Sequence, residues 1–300
     1  MSETTTAIGQ IYQNARIVDG SKWPRLNYKP DPLWPRLPDN TTFEETPGIA
    51  VDSREHAYVF HRGENPLMEF APDGTLRRAW GNRMFVWPHS VKLDPEGNIW
   101  AVDGGGHMIV KIDPAGQVRM VLGRKQTPGE TEENFNQPTD VGFGPHGDIY
   151  VTDGYGNSRV VRYTKEGRFI NAWGRKGTGP GEFDMPHSVV VDRTGRVYIG
   201  DRENYRIQVF TREGEYITQW DQYGSPWGMC ITPDDYLFMC DGHANRVVKL
   251  TLDGKLEGTF GVPGKMPGEF GYAHQIAVAP SGNIYIAEIV NWRVQKFIPR

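Results

Sequence analysis

The sequence predicts an all-β fold, a six-bladed β-propeller whose ring is closed by an N-terminal strand. Three observations predict it. One motif recurs six times along the chain at intervals of roughly 40 to 50 residues. Each copy holds four short runs of β-branched and aromatic residues, separated by turn signals such as Pro95-Glu-Gly97, Thr194-Gly195 and Asp253-Gly254. The 36 glycines and 22 prolines, with 12% aromatics and no sustained helical period, fit many short strands joined by tight turns.

In order, residues 1–46 form an N-terminal segment, and blades begin at Pro47, Pro88, Pro138, Pro186, Pro226 and Ala273, all within one domain spanning 1–300. A lone four-stranded meander cannot bury both faces, so the units must stack face to face and close into a ring. The sixth unit ends at Arg300 after its third strand. Its outer strand must come from the N-terminal segment, and Ile11 to Val18 is the expected donor. The proline-rich stretch Lys29–Pro38 would then cross the surface to the first blade.

Composition narrows the function. A net charge of -4, a pI near 6.1 and 23% charged residues provide no basic field, so neither nucleic acid nor an anionic membrane is an expected partner. No apolar run reaches the roughly 20 residues of a membrane helix. Met1-Ser-Glu-Thr-Thr-Thr6 lacks the basic and apolar regions of a secretion signal. Two cysteines, Cys230 and Cys240, are too few for a disulfide framework, so a cytoplasmic setting is expected.

The unit resembles the NHL repeat: a Pro-x-x-Val/Ile-x-Val start, a Gly-x-Ile/Val-Tyr-x-x-Asp second strand and an Asn-x-Arg third strand. Asn157-Ser-Arg159, Asn204-Tyr-Arg206 and Asn291-Trp-Arg293 carry the last element, with Asn245 and Arg246 in the fifth unit. The aspartates that end the second strands, Asp103, Asp153, Asp201 and Asp241, have a structural reading. With the following Asn and Arg they satisfy turn backbone and pair between neighbouring blades.

Aligning the blades isolates a candidate site. The residue after each blade's opening position is Gly48, His89, Thr139, His187, Trp227 and His274. First strands line the axis of a propeller, so three histidines in alternate blades point at one centre. Imidazole suits Zn²⁺, with Fe, Cu or Ni as other candidates, and three protein ligands leave a position open for substrate. The bland alternative is that these histidines bind channel water and carbonyls. Arg62, Tyr155, Arg202 and His243, just past the second strands, are expected to surround the metal. Two arginines beside a cation suggest a substrate carboxylate, although an interblade salt bridge explains each arginine alone.

At Phe60-His-Arg-Gly63, Pro88-His-Ser90, Gln137-Pro-Thr-Asp140, Asp153-Gly-Tyr-Gly-Asn-Ser-Arg159, Pro186-His-Ser188 and Asp201-Arg-Glu-Asn204 the chain resembles the peptidyl-α-hydroxyglycine α-amidating lyases. The resemblance is close from about Gly48 to Trp220 and looser beyond. It implies zinc on His89, His187 and His274, catalysis by Tyr155, Arg202 and Arg62, and cleavage of a carbinolamide to an amide and glyoxylate. Arg62, Arg202, Trp227, His243 and Tyr272 are the expected substrate-binding residues, for a small-molecule or peptide substrate carrying a carboxylate. Three departures qualify the resemblance. Gln275 stands where the family has an aspartate on a structural calcium, which weighs against calcium here. Gly156 and Tyr198 replace family cysteines. Trp227 and His243 have no counterpart in the family motif. A metal-dependent hydrolase or hydratase on the same histidines, and a noncatalytic NHL scaffold binding protein or RNA, are the competing readings.

Overall fold

The computed structural model describes residues 15–300. Its strands form six four-stranded antiparallel sheets, and among the described residues there is no α-helix. The first strands are Gly48–Val51, Pro88–Leu93, Pro138–Phe143, Pro186–Val191, Pro226–Ile231 and Ala273–Val278. They pack side by side around the axis, and the sixth meets the first. The second strands, including Ile99–Asp103, Ile149–Asp153 and Val197–Asp201, return toward the rim where the first strands begin. The propeller expected from the repeat is the fold observed.

The core lies between blades. Tyr58, Phe60 and Leu67 of the first blade pack with Val91, Ile99 and Val110 of the second. Trp100, Val102 and Ile109 of the second pack with Val141, Val151 and Val161 of the third. Each sheet therefore buries its two faces against two neighbours, as ring closure requires.

The clasp is formed by a different segment from the one expected. Tyr28–Pro30 pairs with Arg293–Pro299 to complete the sixth sheet. Ile11–Asn14 lie outside the described residues, and Ala15–Val18 form no strand. Tyr28 is anchored by stacking on Phe260 at 5.1 Å, with Leu26 N–H donating to Thr259 O at 2.9 Å. Pro30 is tolerated because an outer strand has one edge without a ladder to feed. Only the remainder of the proline-rich stretch runs to the first blade, and Trp34 within it is buried against Phe70 and Tyr285.

The second-strand acids also pair differently. Asp153 accepts from Asn136 N–H in the loop entering its blade, and from Asn157 and Arg159 in the turn and third strand of that blade. Asp201 accepts in the same pattern from Asp184 N–H, Asn204 and Arg206. The pairing stays within one blade and its entry loop, because the carboxylate lies at the strand end where that loop arrives. Glu288 fills this role in the sixth blade.

Beneath the histidine level a second polar layer closes the axis. Gln275 Oε1 accepts from Ile49 N–H at 2.9 Å and Val91 N–H at 3.2 Å. Asp140 accepts from Ser90 Oγ at 2.8 Å and Val189 N–H at 3.1 Å. Lys92 reaches across the axis to Met229 O at 2.9 Å, with its ammonium 3.4 Å from Asp140. Together these contacts join all six first strands. Burial raises the Asp140 carboxyl above the usual carboxylate range, against the lowering effect of Lys92 and Ser90.

Two outcomes are expected. Lys92→Met strands a buried carboxylate and should cost about 3 kcal/mol in urea unfolding, with part recovered by adding Asp140→Asn. Because an ammonium already supplies the positive charge at this level, a calcium-selective chelator should leave the melting temperature unchanged.

Candidate metal centre

Five of the six first strands carry an irregularity at their second residue, where pairing skips from Pro88 to Ser90, from Pro186 to Ser188 and from Ala273 to Gln275. A bulged residue is released from the ladder and re-aims its side chain. His89, His187 and His274 are the bulged residues of the even-numbered blades. Their rings form a near-equilateral triangle, with centroids 4.8, 4.8 and 5.0 Å apart.

Each ring is held by a carbonyl of the next blade. Nδ1 of His89, His187 and His274 donates to Thr139 O at 2.5 Å, Trp227 O at 2.6 Å and Pro47 O at 2.7 Å. This fixes the tautomer, so every Nε2 presents its lone pair on the other side of the ring. One ligand atom from each ring can be chosen so that all lie within 4.8 Å of one another. All three residues are at most 2% exposed, and His274 Nε2 has no hydrogen-bond partner among the described residues. Three convergent neutral imidazoles, one with an orphaned buried nitrogen, fit a borderline metal ion.

Burial is the largest cause lowering all three imidazole pKa values. His274 is pushed down to about 3, and His89 and His187 also fall well below 6.5. Arg62 and Arg202 act in the same direction on His89 and His274, and Arg202 on His187.

Tyr155 brings its hydroxyl to 3.1 Å from Nε2 of both His89 and His187. Arg202 Nη1 donates to that oxygen at 3.4 Å. Arg62 packs over Trp87, whose ring lies 5.6 Å from His89 and 5.4 Å from Tyr155. Each arginine already has a carboxylate partner: Glu45 at 2.9 Å from Arg62 Nη1 and Glu203 at 2.7 Å from Arg202 Nε.

The other residues singled out from the sequence form an aromatic wall. Trp227 stacks on Tyr272 at 5.0 Å and meets His274 edge-on at 5.8 Å. His243 lies against Trp227 and Tyr205 and makes no ring contact with the three histidines. It is 5% exposed, neither ring nitrogen has a hydrogen-bond partner among the described residues, and burial pushes its pKa down to about 4. Sequence reasoning missed Trp87, Glu45 and Glu203. Trp87 had a signal, an aromatic residue directly before Pro88-His89, and so did Glu203, directly after Arg202.

Metal should be lost from His187→Ala and kept by Tyr155→Phe when each purified variant is assayed by elemental analysis. Depressed imidazole pKa values mean that protons compete for Nε2 only in acid. Bound metal should therefore survive dialysis at pH 5.5, where exposed histidines are largely protonated.

The NHL repeat family model matches residues 135–163 and 183–210. The chain is 32% identical over 194 residues to rat peptidylglycine alpha-amidating monooxygenase, an alignment covering 54% of this chain and 20% of that protein. It thus matches only about a fifth of that relative's length. A probable peptidyl-alpha-hydroxyglycine alpha-amidating lyase of Caenorhabditis elegans is 39% identical over 189 residues, 54% of each chain. Among solved structures, a streptogramin B lyase superposes with a TM-score of 0.65 at 13% identity, over 91% of this chain and 98% of that one, a likeness of fold alone. Human NHL repeat-containing protein 3 is 32% identical over 310 residues, covering 92% of this chain and 85% of that protein. The chain therefore belongs to the NHL-repeat propellers of the NHL repeat-containing protein 3 family, related to the α-amidating lyases.

Proposed function

We propose that the protein is a metal-dependent carbon–nitrogen lyase of the amidating-lyase type, acting on an N-acyl α-hydroxyglycine or a small molecule of that chemistry. The observation that carries the reading is the Tyr155 hydroxyl, 3.1 Å from Nε2 of two histidines, with Arg202 against it. Similarity to the nematode lyase supports it independently. A divalent ion on His89, His187 and His274, with zinc as the first candidate, would supply Lewis acidity to the substrate hydroxyl.

The chain's own groups account for the rest. Tyr155 Oη is the base that takes the hydroxyl proton. The oxygen's electrons close the aldehyde of glyoxylate, and the C–N pair leaves on the amide nitrogen. That nitrogen takes one proton, which the same phenol can return, so the reaction consumes none overall. Arg202 holds the Tyr155 oxygen in place through Nη1–H, and Arg62 with Arg202 holds the carboxylate that orients the reacting carbon.

The test is glyoxylate release from N-benzoyl-α-hydroxyglycine by the metal-loaded protein. Tyr155→Phe should keep metal and melting temperature but lose roughly 10²-fold or more in kcat. Near-normal turnover by that variant would remove Tyr155 as the base. Benzoate release without benzamide would point to a hydrolase instead.

A further inference from the structure

The two arginines stand in the first and fourth blades, half a turn of the ring apart, and they are mounted in the same way. The guanidinium carbon of Arg62 lies 4.3 Å over the ring of Trp87, and that of Arg202 lies 4.5 Å over Trp227. Trp227 stands in the first strand of the next blade, and Trp87 in the loop that enters it. In both cases the indole rests on glycine. A Cβ on Gly104 would come 2.7 Å from Trp87 Cε3, and one on Gly242 would come 2.2 Å from Trp227 Cδ2, distances real side chains do not show.

The second mount is closed by hydrogen bonds. Trp227 Nε1–H donates to Ser225 Oγ at 3.1 Å, and Ser225 Oγ–H donates to the backbone carbonyl of Arg202 at 3.0 Å. The indole is thereby tied to the residue whose side chain it supports. Arg202 itself is 4% exposed, so its plane is set by this environment rather than by water. Glu203 takes Nε–H and Tyr155 faces Nη1, while Pro88 O takes Arg62 Nε–H and Glu45 takes its Nη1. Among the described residues no acceptor is engaged by Nη2 of either arginine. A π face fixes the tilt of a guanidinium without consuming its donors, which an additional carboxylate partner would do.

We infer that Trp87 and Trp227 are positioning residues, each holding its arginine flat so that the uncommitted Nη2 edge is presented to a substrate carboxylate. This rests on the function proposed above for the same site. Trp227 also supplies the carbonyl that orients His187, but any residue provides that carbonyl, so the indole can be tested separately.

The experiment uses the metal-loaded protein and two readouts: calorimetric binding of hippurate, an unreactive carboxylate, and steady-state release of glyoxylate from N-benzoyl-α-hydroxyglycine. Trp227→Leu should weaken hippurate binding roughly tenfold and raise KM by a similar factor, with metal content unchanged. Trp227→Phe, which keeps a π face, should recover to within about threefold of the original protein. Ser225→Ala, which frees the indole without removing it, should fall between them. Binding by Trp227→Leu equal to that of the original protein overturns the inference, as does equal weakening in the Leu and Phe variants. So does failure of the original protein to bind hippurate. Hippurate binding that depends on Trp227 without any glyoxylate release would sink the lyase reading and leave the mount standing. Glyoxylate release indifferent to Trp227 would do the reverse.

Discussion

The axial site depends on the extra residue that bulges from the start of the first strands. Without that bulge the histidine at each start would keep its place in the ladder and point to one face of the sheet like its neighbours. Released, His89, His187 and His274 turn to the axis, while Thr139 and Trp227 at the matching positions of two intervening blades, and Pro47 at the start of the third, leave carbonyls free to receive Nδ1. Even-numbered blades supply rings and odd-numbered blades supply acceptors. The threefold alternation aims the lone pairs, so the site is assembled from backbone geometry before any ion takes part. The same arrangement makes the ring a test of closure, because each histidine is held only if the next blade has docked.

What the sequence made legible follows from this. A position within a repeat is fixed by the repeat, so the histidine triangle and the placing of Tyr155, Arg62 and Arg202 on one rim could be read by aligning units. Contacts that do not repeat could not. Tyr28–Pro30 is a three-residue strand ending in proline, with no pattern to mark it, and it is selected by Phe260 and by the edge of Arg293–Pro299 far along the chain. The partnership of Glu45 with Arg62 likewise joins the N-terminal segment to the first blade and leaves no periodic trace. Asp153 and Asp201 are legible as turn carboxylates, but which backbone they serve is not, because only the path of the entry loops decides which N–H reaches them.

The rim is costly as a piece of folding. It gathers two guanidinium groups, one of them buried, beside three imidazoles from which burial removes the positive form. Glu45 and Glu203 offset part of that charge. Indole faces offset a further share, about 0.5–2 kcal/mol for a cation on an aromatic ring. The six interblade cores, not this rim, carry the stability that allows so many desolvated polar groups to be held together, and local conflict of this kind is what a functional site looks like in an otherwise consistent sequence.

The layer of Gln275, Asp140 and Lys92 has a consequence for traffic. Between it and the histidines lies a cavity of only about 10 Å³, room for a single water. The propeller is therefore a cup rather than a tube at this level. Whatever reaches the triangle must come and go by the arginine rim, and the cleavage proposed above would leave both fragments sharing one exit. In that reaction the fragment seated closer to the histidines would wait for the other to clear, so the depth of each seat would set the order of departure.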